Sequence, residues 1–227
     1  MLIRHGASVH ETIGGETLTT LNLFRKEYQA NTVISFFRLL STAGYSDFNL
    51  MNNHGFSALL NALRSPTEAN STIDFLANIG APISKVDPSG RSALHVAAEL
   101  CTADVVEHLY TAHSLTNIDR PDRYGCVPLH YALFKIWVSR EERDNRTVKF
   151  LLRKGADVGK RGKLPAFMVG CNNGVRNEYT PGEYAAALGP EVLQSYMDAL
   201  TATRHIEDEE DAIDENFYDA LEVLDED

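Results

Sequence analysis

Histidine and cysteine are the residues through which this sequence could do chemistry. His95 and His130 stand 35 positions apart, each two places before an alanine. A side chain that titrates near neutral pH can serve as acid, base or metal ligand. Cys101, His108 and His113 form a second group that could offer a thiolate and two imidazoles. Zinc sites favour close, regular ligand spacing, and these three are strung along a stretch expected to pack as a helix, so no metal is expected there. The run Gly155-Ala156-Asp157-Val158-Gly159-Lys160-Arg161 has the outline of a phosphate loop, but it is one residue short and lacks the hydroxyl after the lysine that would hold magnesium. A glycine closing a helix explains it better. His-Glu-x-x-His, Gly-x-Ser-x-Gly and Gly-x-Gly-x-x-Gly do not occur. No catalytic residue, cofactor or small-molecule substrate is expected.

The elements that must position these residues are short and repetitive. Gly55, Gly90 and Gly125 are evenly spaced at 35 residues, and each opens a similar run: Gly-Phe-Ser-Ala-Leu, Gly-Arg-Ser-Ala-Leu-His, Gly-Cys-Val-Pro-Leu-His. The copy at Asp87 to Asp104 reads as a turn (Asp87, Pro88, Gly90), an Ala-rich helix over Ser92 to Leu100, and the approach to a second helix over Val105 to His113. Helices this short do not stand alone in water. Self-similarity at a fixed period marks a solenoid of stacked helix pairs, each unit completing its core with its neighbours. An irregular first unit spans Gly15 to Tyr45, and a second starts at Asn52. The fourth, from Asp122, carries a polar insert at Ser139 to Arg146. Between Gly159 and Tyr179 the period breaks, and Leu164 to Val169 reads as an extended loop or irregular hairpin. A last unit runs from Thr180 to about Leu200, with Gln194, Ser195, Asp198 and Thr201 expected on a wet outer side. The expected division is 1–14 as the end of a truncated or degenerate repeat, 15–203 as an array of about five units with its irregular insert at 159–179, and 204–227 as a tail. Because Leu2 to Val9 resembles Leu151 to Val158, the chain is expected to begin in mid-repeat and to be the C-terminal portion of a longer array.

Charge is divided sharply along the chain. The net −11 resides in the last 22 residues, which hold 12 acids and no lysine or arginine, whereas the remainder carries 21 bases and 20 acids. Three cysteines without a Cys-x-x-Cys pair argue against a disulfide framework and for a reducing compartment. No apolar run has the length of a membrane span or a signal peptide. A protein inside the cell, in cytoplasm or nucleus, is expected. Arg140 to Lys163 holds nine bases and four acids, but the interleaved acids and the overall charge speak against nucleic acid.

These residues resemble ankyrin repeats over most of residues 1–203. The family's Thr-Pro-Leu-His-x-Ala-Ala box is matched by Ser92-Ala93-Leu94-His95-Val96-Ala97-Ala98, by Val127-Pro128-Leu129-His130-Tyr131-Ala132-Leu133, and in part by Thr180-Pro181-Gly182-Glu183-Tyr184-Ala185-Ala186. Gly155-Ala156-Asp157, Gly80-Ala81-Pro82 and Gly6-Ala7-Ser8 match its helix ending. Val127 replaces the box hydroxyl, while Leu60 and Glu183 replace its histidine. The resemblance implies an all-α solenoid of helix-turn-helix units with projecting hairpin loops. It also gives His95 and His130 a structural role, hydrogen-bonding backbone between adjacent units. It places protein partners on the concave side, at Asn53, His54, Phe56, Arg64 and Ser65 in the second unit, at Pro88, Ser89, Arg91, Glu99 and Leu100 in the third, and at Arg123, Tyr124, Cys126, Phe134 and Lys135 in the fourth.

The expected function is therefore a non-enzymatic module that binds a protein partner, with Phe56, Arg123, Tyr124 and Phe134 as anchors and Trp137 packed beneath the insert. The alternative is the repeat-bearing end of a larger multidomain protein whose activity lies upstream. In the acidic tail Phe217, Leu221 and Leu224 fall at i, i+4 and i+7, one stripe of a short helix. That stripe could dock on a partner or on the basic insert, or the tail could serve only to solubilise.

Overall fold

In a computed structural model, the described residues are 30–42, 56–64, 69–139, 144–164, 168 and 178–204. They form α1 (Ala30–Thr42), α2 (Ala58–Ala62), α3 (Ala69–Asn78), α4 (Ala93–Leu100), α5 (Ala103–Thr111), α6 (Pro128–Val138), α7 (Arg146–Arg153), α8 (Pro181–Leu188) and α9 (190–204). Side chains of residues 30–33, 36 and 37 are outside the description, as are the expected first helix near Leu18, Asn53, His54, Ser65, the centre of the polar insert and the tail from residue 205 on.

The helices alternate between two stacks. α2, α4, α6 and α8 pack one on the next, and α1, α3, α5 and α7 form the second stack beside them. Small residues allow the first stack to close up: Ala93, Ala97, Ala98, Ala132 and Ala185 are all essentially buried, between the larger Leu59, Leu94, Leu129, Leu133 and Tyr131. Each helix is too short to be stable on its propensity alone, so this continuous core, running from Leu40 to Ala199, supplies the stability that no unit has by itself.

The helix boundaries follow from local chemistry. Ser57 Oγ accepts from the Leu60 N–H at 3.3 Å, opening α2, and Thr180 Oγ1 accepts from the Glu183 N–H at 3.2 Å, opening α8. Pro128 and Pro181 stand at the helix starts, where a missing N–H costs nothing. Gly80 (φ 89°) and Gly155 (φ 82°) end the second helices, and the Ala81 and Ala156 N–H groups close back on the Leu76 and Leu151 carbonyls.

Between units the chain projects hairpins built on buried aspartates. Asp87 Oδ1 accepts from the Ser89 and Arg91 N–H groups, and Asp122 Oδ1 likewise from Tyr124 and Cys126. Gly90 and Gly125 supply the positive φ these turns need. Of the expected break between Gly159 and Tyr179, the described residues are 159–164, 168, 178 and 179. Gly162 and Tyr179 exchange both backbone hydrogen bonds at 3.0 Å.

One expectation is corrected here. Ser195 is buried in α9 rather than on a wet side, and its carbonyl accepts from Asn145 Nδ2 at 3.1 Å, which ties the last unit to the one before. Gln194, Asp198 and Thr201 are exposed as expected. Trp137 is half-buried and lines a recess of about 490 Å³ with Ile136 and residues Leu188 to Val192, while the centre of the insert it was expected to pack beneath lies outside the described residues.

Candidate interaction surface

His95 and His130 occupy the same place in α4 and α6, and both are fully buried. His95 Nδ1 accepts the Ser92 N–H at 3.1 Å, so the ring proton sits on Nε2, which donates to the Cys126 carbonyl of the next unit at 3.1 Å. His130 repeats this with the Val127 N–H at 3.2 Å and the Tyr179 carbonyl at 3.0 Å. Each ring therefore caps its own helix with one nitrogen and holds the following hairpin with the other. Burial lowers the His95 pKa to about 4 and lowers that of His130, so both rings are neutral near pH 7.

The cysteines are equally committed. Cys101 Sγ donates to the Leu63 carbonyl at 3.1 Å, and burial pushes its pKa up to about 12. Burial likewise pushes the Cys126 thiol up. Neither offers a thiolate nucleophile near neutral pH. Tyr131 donates to Asp122 Oδ2 at 2.7 Å and Tyr184 to the Met168 carbonyl at 2.8 Å; burial raises both phenols. These residues hold the hairpins and the insert against the helices.

The hairpins themselves join in a ladder. The Arg123 N–H donates to the Ser89 carbonyl at 2.9 Å, and the Lys163 N–H to the Tyr124 carbonyl at 2.6 Å. This fixes the spacing of successive tips, so side chains from three units stand in one row. Pro88, Arg123 and Tyr124 are exposed there, Tyr124 by 43%. On the adjoining helices Leu100 is 37% exposed and Arg64 is exposed, with its guanidinium 4.9 Å over the Phe56 ring. Phe56, Ser89 and Phe134 are half-buried. Lys135, also half-buried, donates to the Cys101 carbonyl.

Three of the expected contact residues have other work. Cys126 is fully buried, because its side chain points under the hairpin it closes; its expected exposure is corrected. Arg91 Nε donates to Asp87 Oδ2 at 2.7 Å and its NH1 to Glu99 Oε2 at 2.7 Å, leaving little of either side chain open. Arg91 also lies 5.7 Å from the Tyr131 ring centre, so it braces the interior of the array. Lys163, which the sequence reading passed over, belongs to the row through the ladder; its distance from the 35-residue spacing hid it.

Residues 60–162 match the family model for ankyrin repeats in three copies. This region is an ankyrin repeat array. The helix pairs and hairpin ladder of α2 to α7 are the form those repeats take here, and the all-α solenoid expected from the sequence is the observed architecture. Ankyrin repeats are general protein-interaction modules. An 80-residue stretch, 35% of the chain, is 31% identical to the tyrosine-protein kinase Shark of Drosophila melanogaster. The match covers 8% of that protein, so the chain spans only a small part of its relative's length. Among the described residues no helix is long and apolar enough to cross a membrane.

Proposed function

We propose that this chain is a non-enzymatic binding module whose hairpin row and first-helix faces take a protein partner on the concave side expected of ankyrin arrays. The observation that carries this is the ladder. Backbone hydrogen bonds of 2.6 and 2.9 Å tie successive hairpins together, so Arg123, Tyr124 and their neighbours are presented without the ordering cost a loose loop would pay. Tyr and Arg are also the side chains that most often anchor interfaces. Tyr124, Arg123, Pro88, Leu100 and Arg64 form the exposed contact set, and Phe56, Phe134, Ser89 and Lys135 support it; Asn53 and His54, outside the described residues, are proposed with them from the sequence.

The test compares proteins retained from cell extract by the full chain and by an Arg123→Glu, Tyr124→Ala double variant. Loss of the retained partners is expected, with stability changed by less than about 0.5 kcal/mol because both side chains are surface-placed. An unchanged set of partners would remove the row from the proposal.

A second reading is favoured by the small share of the kinase that the match covers: the array is one interaction part of a larger protein whose activity lies upstream. In either case a location inside the cell, cytoplasmic or nuclear, suits the buried free thiols of Cys101 and Cys126. The acidic segment carrying Phe217, Leu221 and Leu224 is proposed as a docking or self-masking element, and its domain division at about residue 204 stands with that proposal.

A further inference from the structure

The second stack carries a cluster that the binding row does not use. Asp74 of α3 and His108 of α5 come from successive units, and His113 follows just beyond α5. Asp74 Oδ1 is 2.6 Å from His108 Nε2 and 2.8 Å from His113 Nε2. One ligand atom from each of the three residues lies within 4.8 Å of the other two. The side chains are 45%, 24% and 12% exposed for Asp74, His108 and His113. The group is thus accessible to an ion from solvent while remaining held by the packing of two units.

The backbone at His113 departs from its counterparts. Gly80 and Gly155 end α3 and α7, and the following alanine N–H groups reach back five residues to Leu76 and Leu151. At α5 the equivalent bond runs from the Leu115 N–H to the Leu109 carbonyl, six residues back, and Ser114 takes the left-handed slot at φ 54° in place of glycine. One additional residue in this turn swings His113 over to Asp74. A non-glycine residue at positive φ is strained and marks a place where the surroundings over-determine the backbone.

We propose that Asp74, His108 and His113 bind a divalent transition metal of the zinc type, bridging the second helices of adjacent repeats. Two imidazoles and one carboxylate suit zinc, whereas magnesium and calcium prefer oxygen alone. With metal–ligand distances of about 2.0–2.2 Å in a tetrahedron, the ligand atoms must open by roughly 0.5–1.0 Å from their present contacts. Rotation of partly exposed side chains supplies that. Each imidazole then carries its proton on Nδ1 and turns the Nε2 lone pair to the ion. The exposed side of Asp74 leaves a fourth position for water.

The experiment titrates the full chain with zinc chloride in a calorimeter, follows thermal unfolding with and without zinc, and records the visible spectrum with cobalt(II). The wild type is expected to take up one equivalent at this site, to unfold at a higher temperature with zinc, and to show the intense bands of tetrahedral cobalt. His113→Ala should lose all three signals, and Asp74→Asn, which keeps a hydrogen-bonding side chain of the same size, should lose them while remaining folded by circular dichroism. Absence of the cobalt bands in the wild type would overturn the assignment. So would binding of equal stoichiometry and strength in both variants, which would place the metal on other histidines or on the acidic C-terminal stretch.

Discussion

The units opened by α4 and α6 use histidine at the position where α8 uses Glu183, and the two choices do different jobs. His95 and His130 each spend one nitrogen on their own helix start and the other on the next hairpin, at 3.1 and 3.0 Å. Glu183 Oε2 accepts the Thr180 N–H at 3.0 Å while Thr180 Oγ1 accepts the Glu183 N–H, so the exchange stays inside one unit. Its other carboxylate oxygen meets Arg161 NH2 at 3.1 Å, in a pair open to solvent. Coupling between units and capping within a unit are thus separable, and one side chain decides which of them a repeat has.

That separation is most strongly tested by removing the side chains. His130→Ala strips a fully buried ring, leaves the Val127 N–H without its acceptor, takes one of two donors from the Tyr179 carbonyl and opens a hole beside Tyr184. About 3–4 kcal/mol of stability should go, combining the cavity and the unsatisfied group. Glu183→Ala removes a cap and a surface ion pair, for about 1 kcal/mol. Urea unfolding of the two variants reads the difference directly. Equal losses would mean that the bond from His130 to the next unit contributes nothing beyond its capping half.

Acid probes the histidine side of this contrast. The His95 pKa falls from 6.5 to about 4 on folding, so between those values the unfolded chain binds the proton and the folded chain does not. Stability is then fully present above pH 6.5 and is lost as pH falls toward 4. Between pH 6.5 and 5 the loss attributable to this ring is about 2 kcal/mol at 1.36 kcal/mol per unit. The difference in urea midpoint between wild type and His95→Gln should therefore shrink across this window. A difference that stays constant with pH would show that the ring's neutrality makes no contribution.

Much of this architecture could be read from the residues. The equal spacing of Gly55, Gly90 and Gly125 implied stacked pairs, and the Ser92 to Ala98 box implied the role of His95, because both are local signals repeated in phase. Asp74, His108 and His113 are different. Their meeting depends on α3 lying against α5 and on one extra residue before Ser114, neither of which is a property of any single segment. The same holds for Cys126 and Arg91. Their places in the repeat suggested exposure, but a turn folded over the next helix buries the thiol, and the two carboxylates of Asp87 and Glu99 draw the guanidinium inward.

Glycines sharpen the comparison to its finest level. Gly125 and Gly155 have nearly the same backbone, with φ of 78° and 82°. An added Cβ at Gly155 would meet nothing within 4 Å, whereas at Gly125 it would come within 2.9 Å of the Arg161 carbonyl oxygen in the next unit. Both alanine variants must take the left-handed conformation, at about 1 kcal/mol each. Only Gly125→Ala must also push two units apart. Backbone has little room to yield there, because the Lys163 N–H is bonded to the Tyr124 carbonyl beside the contact. Gly125→Ala should therefore be the more destabilising by about 1–2 kcal/mol in urea unfolding, the usual range for overpacking. Amide exchange at Lys163 should quicken in Gly125→Ala and stay unchanged in Gly155→Ala, since only the first strains the ladder. If the two variants lose the same stability and protect Lys163 equally, close contact between hairpins is not what holds the tips in register, and the coupling falls to the buried histidines alone.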